Sequence, residues 1–226
     1  MQSLIDSLLL PCCCACGQCA PLAVVDCAAV RVCRECALEL IPALQQVPLL
    51  DFSERYACYD YAGPLVSLLS MAKDQPNSSQ YYAVQDMFVA AATNIVKQKG
   101  VSEIIITQVP SSLRRSINGW YLPLAMARAL SSKLGAKHLS LLRRRKQVVK
   151  QASLGAVERR INLHQCFTPS RCQFTNLDPS ATVIIVDDVS TTGASLREAV
   201  RCVKLMGYRQ IMAISLAIAP LRSREC

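Results

Sequence analysis

Two adjacent carboxylates, Asp187 and Asp188, follow the β-branched run Val183-Ile184-Ile185-Val186. A turn rich in hydroxyls and glycine, Ser190-Thr191-Thr192-Gly193-Ala194-Ser195, follows them. A buried strand that ends on acids delivers them to the C-terminal edge of a parallel sheet, where α/β proteins bind ligands. The turn then opens into a helix, whose first backbone N–H groups and dipole favour an anion. Thr191, Thr192 and Ser195 add hydroxyl donors, and Gly193 lets the backbone approach the anion closely. Carboxylates beside a phosphate cradle are repulsive unless they have a separate task. Accepting hydrogen bonds from a sugar's vicinal hydroxyls, or holding Mg2+ through water, supplies one. The combination points to a phosphorylated ribose. It is not a Walker loop, because Gly-x4-Gly-Lys-Ser/Thr is absent. A plain capped strand-to-helix turn is the simpler alternative, but a cap does not call for two acids followed by Thr-Thr-Gly.

The second chemical constellation is thiol. Eight of the 13 cysteines lie between Cys12 and Cys36. The N-terminus carries Asp6 and no Lys or Arg before its apolar stretch, which argues against a secretory signal and for a short amphipathic helix over residues 1–10. In such a chain, clustered cysteines point to metal and not to disulfides. Cys13-x2-Cys16 and Cys33-x2-Cys36 have the spacing of a four-cysteine zinc site, and all four positions filled by protein make the zinc structural. The register stays open, because Cys12, Cys14, Cys19 and Cys27 offer alternatives and Cys16-x2-Cys19 is a second pair. Cys58, Cys166, Cys172, Cys202 and Cys226 are scattered and read as small apolar residues.

The net charge of +9 is uneven. From Arg143 to Arg160, seven basic residues face only Glu158, a block that suits a phosphorylated substrate, a nucleic-acid backbone or an acidic partner. Half the residues are apolar, so the chain folds, yet no apolar run reaches the ~18–20 residues that cross a bilayer. A cytoplasmic protein is expected. His138 and His164 sit in no catalytic pattern and read as ordinary helix or strand-edge residues.

These groups need elements to position them. The pattern predicts a helix over 35–46 stopped near Pro48, a strand over 55–61, and a helix over 65–72 followed by Lys73. A long helix with Val84, Met87, Phe88, Ala91 and Ile95 on one face stops at Gly100. Strands at 104–107, 138–142, 183–186 and 211–217 and helices at 124–134, 158–164 and 194–206 complete the reading, with 143–155 as a loop. Strand–helix alternation of this kind implies right-handed crossovers and a mainly parallel sheet flanked by helices. The expected division is a cysteine-rich zinc module over 1–50 and an α/β domain over 51–226.

The acid pair and its turn resemble the signature by which type I phosphoribosyltransferases bind phosphoribosyl pyrophosphate (PRPP). The rest of the chain resembles the ComF family of competence-related proteins, through the paired cysteine knuckles, Lys73 after an apolar helix, and Val109-Pro110 with Arg114 and Arg115 beyond. The block Gln151-x2-Leu154-x3-Glu158-Arg159-x2-Asn162-x4-Phe167 is similar to one specific to that family. The resemblance implies a type I phosphoribosyltransferase fold. It implies ribose contacts from Asp187 and Asp188 and 5′-phosphate contacts from Ser190, Thr191, Thr192, Gly193, Ala194 and Ser195. Pyrophosphate contacts would come from Pro110, Ser111, Arg114 and Arg115, with Mg2+, and a closing loop would carry Lys146, Lys150 and Gln151. One block departs: where relatives carry Arg-Gly-Phe-Asn-Gln, this chain has Gly119-Trp120-Tyr121-Leu122-Pro123, aromatic but without the arginine and the amides.

Three functions fit these residues. The first is Mg2+-dependent phosphoribosyl transfer in nucleotide metabolism or DNA uptake. The second is PRPP-gated binding of single-stranded DNA through the segment from Arg143 to Arg160, which would weaken steeply with salt. The third is a zinc adaptor on a disused enzyme scaffold, which leaves the two repelling carboxylates unexplained.

Overall fold

The computed structural model describes residues 11–19, 22–24, 30–40, 42, 45–46, 54–111, 121–145, 166–170 and 178–219. At the N-terminal end, β1 (Leu22–Val24) and β2 (Arg31–Cys33) form an antiparallel ribbon that leads into the short helix α1 (Arg34–Glu39). The strands β3 (Gln45–Gln46), β4 (Glu54–Asp60), β5 (Ile104–Gln108) and β6 (Lys137–His138) follow. A two-stranded ribbon, β7 (Leu142–Arg144) with β8 (Phe167–Pro169), precedes β9 (Thr182–Ser190) and β10 (Ile211–Ile218). Six of these strands make one sheet in the order β3-β4-β10-β9-β5-β6, with every neighbour parallel except β3 against β4.

Four longer helices cover the sheet: α2 (Pro64–Asp74), α3 (Ser79–Lys99), α4 (Leu122–Leu134) and α5 (Ala194–Leu205). Their ends are written locally. Pro64 opens α2, where its missing N–H costs nothing. The Ser78 hydroxyl accepts from the Tyr81 backbone N–H at 3.1 Å at the start of α3, and Gly100 closes that helix at φ 62°, a conformation that favours glycine.

The central strand β9 is apolar on both faces, as a strand covered on both sides must be. Ile184 and Val186 join Leu68, Phe88, Met126 and Leu130 in the core under α2, α3 and α4. Val183 and Ile185 join Leu196, Val200 and Val203 of α5, with Leu142 and Phe167, on the other side. Val30, Val32 and Leu40 of the cysteine-bearing segment belong to the first of these clusters. Among the described residues, no helix is long and apolar enough to cross a membrane.

The strand order contains a switch point. From β9 the chain passes through α5 to β10 on one side, whereas from β5 it passes through α4 to β6 on the other. Connections leaving adjacent strands in opposite directions open a crevice at their C-terminal ends, where such sheets bind ligands. The ends concerned are Gln108 of β5 and the acid pair of β9.

Several expectations change. The helix expected over 35–46 ends at Glu39, and Gln45 and Gln46 pair with Ala57 and Tyr56 as a strand. The nearer breaker is Pro42 and not Pro48, since a proline cannot supply the next helical N–H. The strand expected over 138–142 divides, with Lys137 and His138 on the main sheet and Leu142 to Arg144 in the separate ribbon. Arg143 and Arg144 are therefore strand and not loop. The strand expected to stop at Val186 continues to Ser190, because β10 keeps pairing with it as far as Ile218. The expected helices over 1–10 and 158–164 lie outside the described residues, as do Arg114, Arg115, Lys146, Lys150 and Gln151.

Candidate active site

The acids stand on β9 at the switch point. Asp187 is buried, and its Oδ1 accepts from the Asp188 backbone N–H at 2.9 Å. Burial first, and the neighbouring charge of Asp188 second, push the Asp187 carboxyl well above the usual carboxylate range, with Lys73 pulling the other way. Asp188 is better served. Its Oδ2 pairs with Lys73 Nζ at 2.8 Å, and its Oδ1 accepts from the Val189 backbone N–H at 2.6 Å. Lys73 comes from the last turn of α2, so the ion pair joins two elements more than a hundred residues apart in sequence.

Behind the following turn lies a group that the sequence did not announce. Arg55 of β4 is 4% exposed, and its Nη2 donates to Ser190 Oγ at 2.6 Å. Its Nε finds no acceptor among the described residues. Burial first and the charge of Arg197 second pull this guanidinium downward, while Asp187 holds it up. An arginine keeps its proton under such a shift, so a buried cation stands at the root of the turn. The one sequence signal was alternation: in Glu54–Asp60, Arg55 falls on the same strand face as Ala57, two small steps along a buried row.

Beyond Ser190, Thr191 and Thr192 are exposed and Gly193 is buried at φ 71°. A side chain at Gly193 would be strained in this conformation, which aims the start of α5 at the crevice. Thr192 Oγ1 accepts from the Ala194 backbone N–H at 3.4 Å, and the Ser195 and Leu196 N–H groups precede the first helical bond, which Arg197 N–H makes to Gly193 O at 2.8 Å. An anion fits there.

The remaining expected residues divide. Pro110 and Ser111 follow β5, whose Gln108 is in register with Val186, one residue before the acids. The Val109 N–H donates to Val186 O at 2.9 Å, so the segment leading to Pro110 runs beside the acid pair. Ala72, Lys73, Pro76, Tyr81, Tyr121, Leu122, Pro123 and Asp188 line a small cleft. The described part of the departing block, Tyr121 to Pro123, thus forms a wall next to Asp188. Of the basic segment, Arg143 Nε donates to Thr168 Oγ1 at 3.1 Å and Arg144 lies over the Phe167 ring. His138 is not catalytic in its contacts. Its Nε2 bonds Gln108 Oε1 at 2.9 Å, and burial first, then Arg128, lower its pKa, so it stays neutral.

Among the described residues four thiols gather into one cluster, and Cys27 lies outside those residues. Cys13, Cys16, Cys33 and Cys36 bring their Sγ atoms within 4.8 Å of one another, and Cys16 and Cys33 are 3.8 Å apart. A tetrahedral zinc with Zn–S near 2.3 Å needs sulfurs about 3.8 Å apart. Burial raises the Cys13 thiol, but hydrogen bonds from the backbone of Cys16, Cys33 and Ala15 outweigh it and bring its pKa to about 6. Burial first and the neighbouring thiols second push the Cys36 thiol up, as expected of sulfurs crowded together, and the cluster is compatible with a structural zinc.

Strand order, acid ledge and helix-opening turn define a mainly parallel α/β sheet flanked by helices, with a crevice at its switch point. No family model and no curated protein matches the sequence. Solved structures similar to this chain include adenine phosphoribosyltransferase from Saccharomyces cerevisiae, at 16% identity and TM-score 0.41 over 82% of this chain and 86% of that one. A purine phosphoribosyltransferase from Pyrococcus horikoshii Ot3 is similar at 21% identity and TM-score 0.35, over 60% and 73% of the two chains. An allosteric regulatory enzyme of purine biosynthesis matches at 16% identity and TM-score 0.35 over 53% of this chain, which spans 23% of that enzyme.

Proposed function

We propose that the chain binds PRPP with Mg2+ and transfers its phosphoribosyl group to a nitrogen acceptor, as a ComF-type member of the type I phosphoribosyltransferases. The observation that carries this reading is the acid pair and phosphate-binding turn together at the switch between β9 and β5. Asp187 and Asp188 accept hydrogen bonds from the ribose hydroxyls. Ser190 to Ser195 and the first N–H groups of α5 hold the 5′-phosphate, with Arg55 fixing Ser190 from behind. Pro110, Ser111, Arg114 and Arg115 face the pyrophosphate. Bound Mg2+ supplies charge neutralisation for that leaving group. Lys73 holds Asp188 in place until the sugar arrives. The loop with Lys146, Lys150 and Gln151 closes over the sugar and keeps water from the anomeric carbon. The activity is placed in the cytoplasm on the N-terminal reading, and the ComF resemblance points to nucleotide metabolism or DNA uptake.

Calorimetric titration with PRPP and Mg2+ tests the site. The wild type is expected to bind only with the metal present, and the double variant Asp187→Ala/Asp188→Ala to lose at least about a hundredfold in affinity, since two acceptors for ribose hydroxyls vanish together. Absence of binding by folded wild type, or equal binding by the variant, would overturn the proposal.

The cysteine module holds one Zn2+ through Cys13, Cys16, Cys33 and Cys36. Its removal by a chelator is expected to lower Tm by about 2–4 °C for each kcal/mol of linked stability. Elemental analysis of the purified chain, with melts before and after chelation, checks this. A metal-free chain with an unchanged Tm would refute it.

A further inference from the structure

Among the described cysteines beside the four-thiol cluster, Cys14 is buried, whereas Cys12 and Cys19 lie outside it and are exposed. Cys12 and Cys19 face each other across an isolated antiparallel bridge that brackets the Cys13–Cys16 turn. Both are exposed, and their Sγ atoms are 2.9 Å apart. The backbone sets this approach: the Cys13 N–H donates to Gln18 O at 2.8 Å, and the Gly17 N–H donates to Cys13 O at 2.9 Å. The turn that presents Cys13 and Cys16 to a metal therefore also brings its two flanking thiols together. Three of the four cluster cysteines are buried, and bound metal masks all four sulfurs. Cys12 and Cys19 have neither protection.

We propose that Cys12 and Cys19 are a thiol–disulfide couple, separate from the four-thiolate site, that closes a covalent clasp around the first metal knuckle. The oxidant is a small-molecule disulfide such as oxidised glutathione. One protein thiolate attacks a glutathione sulfur, breaking the glutathione S–S bond and releasing one glutathione thiolate. The second protein thiolate then attacks the protein sulfur of the mixed disulfide, forming Cys12–Cys19 and releasing the second glutathione. Two electrons pass from the cysteine pair to glutathione, and the two thiol protons end on the released glutathione molecules. In a reducing compartment such an exposed disulfide is transient and follows the local redox poise. Because the clasp spans the turn of Cys13 and Cys16, its closure fixes that knuckle in the metal-holding conformation and slows release of the metal.

The zinc content of the full chain is measured first, so failure of the metal reading registers as absent zinc and not as a wrong disulfide. The native protein is then incubated with graded ratios of oxidised to reduced glutathione, and disulfides are mapped by peptide mass spectrometry. The expected first product is a single Cys12–Cys19 disulfide with zinc content unchanged. Zinc transfer to a colorimetric chelator is expected to be slower from this form than from the reduced one. In Cys12→Ser that disulfide cannot form and Cys19 carries one glutathione instead, and Cys19→Ser shows the reverse, both with zinc retained. The proposal is overturned if the first disulfide includes Cys13, Cys16, Cys33 or Cys36, or if zinc leaves as the first disulfide forms. It also fails if Cys12 and Cys19 stay reduced while other cysteines oxidise, or if the oxidised form releases zinc as fast as the reduced one.

Discussion

Replacing Asp187 by Asn is expected to raise Tm at neutral pH while weakening PRPP binding by about a hundredfold or more. The two effects share one cause. Asp187 is buried beside a second carboxylate, and the Lys73 ammonium that could compensate it is bonded to Asp188 at 2.8 Å. Burial first, and the Asp188 charge second, raise its folded pKa well above the unfolded value. Between the ordinary pKa near 3.9 and that raised value, the unfolded chain has released this proton and the folded chain retains it. The folded state then binds more protons, so this group's contribution is fully favourable below about pH 3.9 and is lost as pH rises through the folded pKa. Asparagine removes the titration and keeps an acceptor for the Asp188 N–H. The Tm advantage of Asp187→Asn should thus grow with pH and then level off, at about 2–4 °C per kcal/mol relieved in a chain of this size. Sugar hydroxyls donating to Asp187 favour its charged form, so PRPP binding should release a proton, visible as a buffer-dependent calorimetric enthalpy. Melts of both proteins across pH check the first part. A lower Tm for the variant at neutral pH would show that the charged carboxylate stabilises the fold.

Arg55 carries the second large effect. Its Nη2 holds Ser190 Oγ at 2.6 Å, and its buried Nε is unpartnered among the described residues, directly behind the turn assigned to the 5′-phosphate. A buried cation there complements a phosphate dianion, and fixing Ser190 orders the turn before ligand arrives. Arg55→Met is expected to weaken ribose 5-phosphate binding about 10–100-fold, the range for losing a charge-assisted hydrogen bond of roughly 1.5–3 kcal/mol. Mg2+-pyrophosphate, proposed to lie against Pro110 and Ser111 and not against this turn, should bind within about twofold of wild type. Arg55→Lys retains the charge but not the planar fork and should fall between the two. Equal losses for both ligands would assign Arg55 to the fold and not to the phosphate end.

Much of this molecule was legible in one dimension. The run Val183 to Val186, the acids after it and the Thr-Thr-Gly turn located β9, its ledge and the start of α5. Helical periodicity from Val84 to Ile95, with Gly100 at its end, located α3, whose Ser78 cap the structure added. These features depend on neighbours within a few residues, and the local backbone and capping preferences are strong there. The helix expected over 35–46 failed because Pro42 acts sooner than Pro48 and because Gln45 and Gln46 gain partners on β4. Arg143 and Arg144 read as loop because their charge hid a strand whose pairing partner, Phe167 to Pro169, lies more than twenty residues away.

The sequence by itself determined the chemical inventory: the paired acids, the Thr-Thr-Gly turn, the four-cysteine spacing and the elements that present them. Only the tertiary structure decided that β10 inserts between β4 and β9, which creates the switch point between β9 and β5. It also decided that Lys73 guards Asp188, that Arg55 stands behind Ser190, and that Cys12 and Cys19 are left over once Cys13, Cys16, Cys33 and Cys36 converge. The division is physical. Capping, turn and periodicity energies act between residues close in the chain and are written in their order. Strand adjacency and buried ion contacts join residues far apart, and are set by how two apolar faces of one sheet are covered together.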